Sequence, residues 1–350
     1  RADRSQPRRR VTRGAGAVSA GRPGSPFALG GIVAIATVTP TGTPAPAGPP
    51  VRARRRRASG APFVMIAPAV IMLAVFIGWP LVQMIVMSFQ EYGRPQIFGA
   101  PADFVGINNY LSVLSDPGFW QVLGRSVALC AVCVLATMTF GMSVALLMTR
   151  LGNAMRTAVS VGLLLAWAMP ALTATIVWGW IFDTQYGLVN WALSGLTGTD
   201  WTGHSWLIDP LSFFAVAAII ITWGAVPFVA FTVYAGLTQV PDEVMEAASL
   251  DGASAFSRFR FITLPYIRSI LIVLLILQII WDLRVFAQIY ALQTIGGVRA
   301  DTNTIGVYIY SVSMASGDLG AGGAISVILV IIMLLISGYY IRSMFQEERS

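Results

Sequence analysis

The sequence of 350 residues is 56% hydrophobic and only 11% charged, with a mean hydropathy of +0.71. Soluble domains are roughly 45–50% apolar and about 25% charged, so this composition excludes an ordinary soluble domain and indicates a bilayer environment. The formal net charge of +7 does not indicate a nucleic-acid-binding domain, because residues 1–60 hold 12 of the 23 basic residues and residues 61–350 hold 15 of the 16 acidic ones.

Residue counts also exclude several classes of catalytic and metal site. All 23 basic residues are arginine, and a chain without lysine cannot form a P-loop or a Schiff base. The chain has one histidine, His204, whereas a zinc-binding histidine pair needs two. The two cysteines, Cys130 and Cys133, lie in an apolar segment and are expected to be inert buried thiols. We therefore predict no catalytic residue, and no metal or cofactor bound by this chain.

The first 60 residues are rich in Arg, Gly, Pro and Ala. Such low-complexity sequence does not bury a core, so we predict a disordered cytoplasmic tail over 1–60 and a membrane domain over 61–350. The apolar stretch 27–39 would alternatively fit the core of a signal peptide.

Six apolar segments follow, each about the 20 residues that a helix needs to cross a bilayer. They lie near 63–88, 123–149, 157–182, 211–235, 268–290 and 321–342. The prediction is an all-α polytopic membrane protein with six transmembrane helices. Pro170 and Pro227 lie inside the third and fourth segments, where they predict broken or kinked helices.

The arginines beside these segments alternate between the two sides of the predicted bundle. One side carries the arginines before the first segment, in the second and fourth connections and after the last segment. The connections on the other side carry only Arg94 and Arg299, against eight acidic residues. Since arginine is typical of cytoplasmic loops, we expect both termini in the cytoplasm. The all-arginine, alanine-rich composition is typical of a GC-rich bacterium, so we expect the chain in the cytoplasmic (inner) membrane.

The connection between the fourth and fifth segments, over about 237–266, has a pattern of its own. Pro241 and the two acids that follow it suit the start of a helix, and Gly252 suits the end of one. A second helical stretch over 253–261 follows. The pattern predicts a cytoplasmic hairpin of two short helices, which either docks a partner protein or merely caps the bundle.

The same connection resembles the EAA loop of binding-protein-dependent ABC importer permeases, because Glu-Ala-Ala, three residues, Gly, nine residues and Ile-x-Leu-Pro follow in that order. The residues that match or flank this motif are Glu246, Ala247, Ala248, Asp251, Gly252, Ala253, Ile262, Leu264 and Pro265. In that family the loop fits a cleft on a cytoplasmic ATPase subunit. The resemblance therefore implies that these nine residues dock an ATPase, with Glu246 near the contact.

Other stretches resemble the carbohydrate branch of this family, the maltose, glycerol-phosphate and trehalose permeases. They are Phe-Val-Gly-x-Asn-Asn-Tyr and Asp-Pro-x-Phe-Trp within 104–120, Trp-x-Trp-Ile-Phe and Tyr-Gly-x-x-Asn within 178–190, and Asp-Gly-Ala and Phe-Arg-x-Ile-Thr-Leu-Pro within 251–265. One stretch departs from the branch: many sugar permeases have Gly-Gly-Pro after the fifth span, where this chain has Gly-Gly-Val over 296–298.

The resemblance also implies partners and a mechanism. Two cytoplasmic ATPase subunits hold ATP and Mg²⁺, and their closure switches two permease subunits, expected to be different chains, from inward-facing to outward-facing. An extracytoplasmic binding protein delivers the solute. The absence of lysine is consistent with ATP hydrolysis on another chain, and no nucleic acid is expected as a partner.

The fifth apolar segment contains five side chains that we expect to line the solute pathway: Gln278, Trp281, Asp282, Arg284 and Gln288. On a continuous helix, at about 100° per residue, they lie within roughly 160° of one side. That side is not expected to face lipid, because a charge at the bilayer centre costs about 2.5–3.5 kcal/mol. The alternative is a structural ion-pair network inside the bundle or between two permeases.

These patterns predict the permease subunit of an ATP-driven importer for a sugar or related polyhydroxylated solute. An amino acid, an osmolyte or a phosphate ester is the alternative cargo within the family, and Arg284 would favour an anion. From another class, a self-sufficient secondary transporter or channel predicts inverted repeats and an ion relay, and the sequence shows no internal repeat.

Overall fold

A computed structural model describes residues 61–347. The tail predicted over 1–60 lies outside the described residues and stays a prediction. The described chain is helical apart from a ladder of two short strands, β1 (Gln90–Glu91) and β2 (Asp103–Phe104), which pair antiparallel with Gln90 opposite Phe104.

Seventeen α-helices lie within residues 61–347, and three of them continue into π-helical turns. The helices are α1 (Ala61–Leu73), α2 (Trp79–Ser88), α3 (Arg94–Ile97), α4 (Asn108–Ser115), α5 (Pro117–Arg150), α6 (Asn153–Ala168), α7 (Ala171–Ile181), α8 (Leu188–Thr197), α9 (Pro210–Leu237), α10 (Asp242–Leu250), α11 (Ala255–Arg258), α12 (Leu264–Tyr266), α13 (Arg268–Leu283), α14 (Ala287–Ile295), α15 (Arg299–Thr302), α16 (Ile305–Tyr310) and α17 (Leu319–Glu347). The π-helical turns are Ala74–Gly78, Phe259–Thr263 and Ser311–Ala315.

Five helical stretches of the described chain are long and apolar enough to cross a membrane, and a bent pair of helices makes a sixth if it counts as one span. The five are Met65–Ser88, Pro117–Arg150, Pro210–Leu237, Arg268–Ile295 and Leu319–Gly338, and the bent pair is Asn153–Ala168 with Ala171–Ile181. These stretches overlap all six predicted segments. The count of six and the cytoplasmic placement of both termini stay predictions.

The third segment is broken at its proline, as the sequence predicts. α6 ends at Ala168 and α7 begins at Ala171, with a bend of 102° between them. Proline has no N–H and disfavours a helical residue before it, and Met169 is accordingly extended, with ψ of 125°. Pro227, by contrast, lies inside α9 without a break in the helix.

The centre of the bundle is formed by α5 and α9, which begin in the same way. In each, an aspartate before a proline caps the helix: Asp116 accepts from the backbone N–H of Gly118 at 2.9 Å, and Asp209 accepts from that of Ser212 at 3.0 Å. Such caps satisfy free N–H groups of the first turn. Farther along, Gly141 of α5 gives room to a valine of α9, so the two helices pack closely.

The connection before the last apolar span, predicted to be a loop, contains a short apolar helix over Ile305–Ala315. Its Ile305 and Val307 are buried. The helix is shorter than a bilayer is thick, so a search for spans by length misses it.

Candidate coupling segment and central cavity

The coupling segment, defined here as residues 237–266, forms the predicted pair of short helices. Pro241 is the residue before α10 rather than its first residue, and two acids lie in the first turn. Gly252 ends the helix with φ of +79°, a left-handed conformation in which glycine is favoured. α11 begins at Ala255, two residues later than predicted, because Ser254 caps it by accepting from the N–H of Ser257 at 3.2 Å.

One side of the coupling segment is anchored to the bundle and the other is exposed. Thr263 and the neighbouring Ile267 are buried, and Ile267 packs in a cluster with side chains of α5, α9 and α13. Leu250, Phe256 and Phe261 are 89%, 74% and 74% exposed. Exposed clusters of large apolar side chains are typical of interaction sites.

The nine motif residues are distributed over this surface. Glu246, Ala247, Asp251, Gly252 and Pro265 are exposed, and Ala248, Ala253, Ile262 and Leu264 are half-buried. Among residues 61–347, Glu246 makes no ion pair. Its carboxylate is therefore available to a partner.

The fifth span is not one helix. α13 ends at Leu283, residues 284–286 are not helical, and α14 begins at Ala287. The prediction of one continuous helical stripe reaching Gln288 is therefore wrong, because a rotation of 100° per residue does not extend across the break.

Thr304, the residue before α16, and Gly306 within α16 lie against the break. The hydroxyl of Thr304 donates to the carbonyl oxygen of Val285 at 3.5 Å. Gly306 lies so close that a Cβ there would be 2.9 Å from the same oxygen. No proline marks this break, so local sequence gives little sign of it.

A cavity of about 590 Å³, which we call the central cavity, lies between the two broken spans. Its walls come from the ends of α6 and α7 that meet at the first break, the middle of α9, and the second break with its flanks. Its larger or polar lining side chains include Trp167, Trp223, Trp281, Asp282, Arg284, Phe286 and Gln288. Non-helical backbone at membrane depth is tolerated where it is buried in protein or lines a cavity, and both breaks line this one.

Four of the five predicted pathway residues line the central cavity, and Gln278 does not. Gln278 is fully buried, and neither atom of its amide has a hydrogen-bond partner among the described residues. Asp282 is 6% exposed and its Oδ2 atom also lacks a partner, whereas Arg284 is exposed.

No ion pair within the described chain involves Asp282 or Arg284. The ion pair seen within residues 61–347 joins Arg125 to Asp301 at 4.0 Å. Within residues 61–347, Asp282 and Arg284 therefore take no part in an ion-pair network, which was the structural alternative for the polar stripe.

The connection between α7 and α9 is held together by Asn190. Its Nδ2 donates to the carbonyl oxygens of His204 at 2.9 Å and Thr184 at 3.2 Å, and its Oδ1 accepts from Nε1 of Trp206 at 2.6 Å. Asn190 belongs to a stretch that resembles sugar permeases, and the sequence alone gives it no role. Its hydrogen bonds show that it orders this connection.

A second side chain orders the start of the same connection. The carboxylate of Asp183 accepts from the backbone N–H groups of Tyr186 at 2.8 Å and Gln185 at 2.9 Å. These hydrogen bonds hold the pKa of Asp183 below its ordinary value, because they favour the charged carboxylate. Tyr186 itself is 94% exposed.

Comparison with known proteins agrees with this architecture. Residues 137–347 match the family described as binding-protein-dependent transport system inner membrane component. The chain is 38% identical over 301 residues to the diacetylchitobiose uptake system permease protein DasB of Streptomyces coelicolor, covering 86% of this chain and 92% of that protein. It is 35% identical over 284 residues to the trehalose/maltose transport system permease protein MalF of Thermococcus litoralis, covering 80% and 92%.

The fold also matches a solved structure, that of a bacterial ABC transporter involved in the import of the acidic polysaccharide alginate. The TM-score is 0.69 over 81% of this chain and 94% of that chain. At 19% identity this likeness shows the fold alone. With the match over residues 137–347 and relatives above 30% identity, the chain belongs to the family of binding-protein-dependent transport system inner membrane components.

Proposed function

We propose that this chain is a permease subunit of an ATP-driven sugar importer in the cytoplasmic membrane of a bacterium. It forms one wall of the solute pathway and couples that wall to a separate ATPase subunit. The observation that carries the proposal is an exposed coupling segment and a cavity between broken spans in one membrane domain. Membership of the family supports the same function.

The coupling segment supports the docking step. Leu250 and Phe256 supply apolar area that the chain itself does not cover, and burial of such area stabilises an interface. Glu246 adds an exposed charge on the same segment, and a charge of this kind favours one partner orientation over others. ATP and Mg²⁺ would be held by the partner ATPase, and the residues proposed here only transmit its movement.

The lining of the central cavity supports a sugar as the solute. Trp167, Trp223 and Trp281 present aromatic surface, and Gln288 and Asp282 present an amide and a carboxylate. Sugar rings pack against aromatic faces while their hydroxyls hydrogen-bond to such polar groups. The permease relatives named for diacetylchitobiose and for trehalose and maltose favour the same class of solute.

The central cavity is incomplete in one chain. Trp167 is 56% exposed and Arg284 is also exposed, although both line the cavity. We expect a second permease subunit to cover this side and to complete the pathway. The family description further supports a binding protein that delivers the solute from the opposite face to the ATPase.

An anionic solute, such as a phosphate ester, is the second candidate. Arg284 lines the cavity without an ion-pair partner among the described residues, and a guanidinium group suits a phosphate or carboxylate. A binding assay with neutral and phosphorylated sugars separates the two candidates.

Purification of the tagged chain from its native membrane in mild detergent tests the proposal. We expect stoichiometric amounts of an ATPase subunit and a second permease, identified by mass spectrometry. After reconstitution with the binding protein, trehalose, maltose or diacetylchitobiose is expected to raise ATP turnover. A chain that is recovered alone even after cross-linking, and that transports solute without an ATPase, would instead be a secondary transporter or channel.

A further inference from the structure

A second cavity, of about 320 Å³, lies between the coupling segment and the bundle, and we call it the junction cavity. It is formed where the ends of α5 and α9 meet α10 and α11. Its lining side chains are Leu146, Thr149, Arg150, Leu237, Val240, Asp242, Met245, Ala255, Arg258, Phe259 and Thr263. Neither the proposed solute pathway nor the exposed docking surface uses this cavity.

Two arginines line the junction cavity, and neither forms an ion pair among residues 61–347. Arg150 comes from the end of α5 and Arg258 from the end of α11. Asp242 lines the same cavity but forms no ion pair with either arginine, since the ion pair of the described chain lies elsewhere. Two arginines and one aspartate therefore give the lining of the junction cavity a net charge of +1.

Arg258 provides an independent sign that a group is missing. Its Nε atom is buried and has no hydrogen-bond acceptor among the described residues. Buried donors are nearly always satisfied in folded proteins, by protein, water or a ligand, and an unsatisfied charged donor is especially costly. Arg156 shows the usual arrangement nearby, because its Nε and Nη2 atoms donate to carbonyl oxygens of Met148 and Leu151 at 3.1 and 2.8 Å.

The depth of the junction cavity suits the phosphate layer of a membrane. Two of the apolar spans end here, at Arg150 and Leu237. The ends of spans lie at the headgroup level of a bilayer, where basic pockets between helices bind anionic headgroups. Apolar side chains such as Leu146 and Phe259 line the rest of the cavity and match the apolar part of a lipid.

We infer that the junction cavity binds a phosphate group, supplied by an anionic phospholipid or by free phosphate, between Arg150 and Arg258. The bound phosphate is contacted by the side chains of both arginines and links the coupling segment to the end of α5. This inference does not depend on the sugar specificity of the importer.

Native mass spectrometry of the purified, delipidated importer complex tests the inference. Dioleoyl phosphatidylglycerol and dioleoyl phosphatidylcholine are added in parallel, with and without inorganic phosphate. We expect tighter binding of phosphatidylglycerol, and we expect Arg150→Gln and Arg258→Gln each to weaken it about tenfold, as for the loss of one charge-assisted hydrogen bond. Arg342→Gln is the matched control, because Arg342 is exposed and lies outside the cavity lining. Arg258→Lys keeps the charge and is expected to retain part of the binding.

The arms of the experiment distinguish the sources of phosphate. If millimolar inorganic phosphate displaces the lipid from the two cavity arginines, free phosphate is a ligand of the site. If the lipid stays bound in the presence of inorganic phosphate, the lipid is the ligand. Equal weakening by Arg342→Gln, or equal binding of phosphatidylcholine, would overturn the inference, as would the absence of any phosphate binding. Variants that still co-purify with the ATPase are folded, so a loss of lipid binding in them reports on the site.

Discussion

The coupling segment and the central cavity use polar and apolar side chains in opposite ways. In the coupling segment, the apolar side chains of Leu250 and Phe256 are exposed. The carboxylate of Glu246 forms no ion pair within the described chain. In the central cavity, Asp282 is almost fully buried although it lies beside a break in its span. The first region leaves apolar surface open to a partner, and the second encloses polar groups among apolar helices.

This difference indicates what each region requires to function. The proposed docking surface comes from residues that are close in sequence, so one short segment presents all of it. A solute pathway needs polar groups at membrane depth, where backbone and side chains must be satisfied by protein, water or solute. The central cavity therefore takes its walls from α6, α7, α9, α13 and α14, and both broken spans meet at it.

Replacement of the glycine that ends α10 is expected to have the largest effect. Gly252 has φ of +79°, whereas proline is restricted to about −65°, so Gly252→Pro forces the two halves of the coupling segment apart. We expect uptake of radiolabelled sugar to be abolished while the chain still inserts in the membrane. Gly252→Ala is the control: a Cβ has free space there, so only the left-handed strain of about 1–2 kcal/mol is added. Wild-type uptake in Gly252→Pro would remove the docking role.

Removal of the motif carboxylate is expected to act on the ATPase contact. Glu246→Ala should weaken binding of the ATPase subunit about tenfold or more, because a charged group at an interface loses its partner interaction. Co-purification at increasing salt, with uptake measured in parallel, checks this. Glu243→Ala removes an acid from the first turn of the same helix, outside the motif, and should have a smaller effect. If the two variants behave alike, the charge of the helix rather than Glu246 decides docking.

A methyl group added beside the second break tests whether its geometry matters. Gly306→Ala places a Cβ 2.9 Å from the carbonyl oxygen of Val285, and overpacking of this kind costs about 1–3 kcal/mol. We expect a lower melting temperature and a severalfold fall in solute-stimulated ATP turnover. Gly162→Ala is the matched helical control, since a Cβ at Gly162 meets nothing within 4 Å. Equal effects in both variants would mean that the break does not position the pathway.

The sequence predicts the coupling segment more completely than the central cavity. The helix start after Pro241, the end at Gly252 and the second short helix follow local rules of capping and glycine conformation, and the structure confirms them within a few residues. The break at Pro170 is likewise a local effect of proline. Each of these features depends on residues close together in the chain.

The second break could not be predicted because its causes are distant in sequence. Residues 284–286 contain no proline or glycine. The carbonyl oxygen of Val285 instead contacts Thr304 and lies close to Gly306, both about 20 residues later in the chain. Hydrophobic periodicity assumes a continuous helix. Four of the five residues on the predicted stripe line the central cavity, and their role in the pathway stays a prediction. The pattern gives no means of excluding Gln278, whose burial is set by neighbouring helices.

The smallest expected effects separate Gln288 from Gln278. Gln288 lines the central cavity, so Gln288→Ala should weaken solute stimulation of ATP turnover by about 2–10-fold, the worth of one hydrogen bond, with little change in basal turnover.

Gln278 is fully buried and its amide is unsatisfied within the described chain. Gln278→Leu removes that cost of about 1–3 kcal/mol and should raise the melting temperature without changing solute stimulation. If Gln278→Leu instead lowers solute-stimulated ATP turnover while basal turnover stays unchanged, Gln278 contacts the solute in another conformation of the importer. A residue that never contacts the solute is expected to change both rates together.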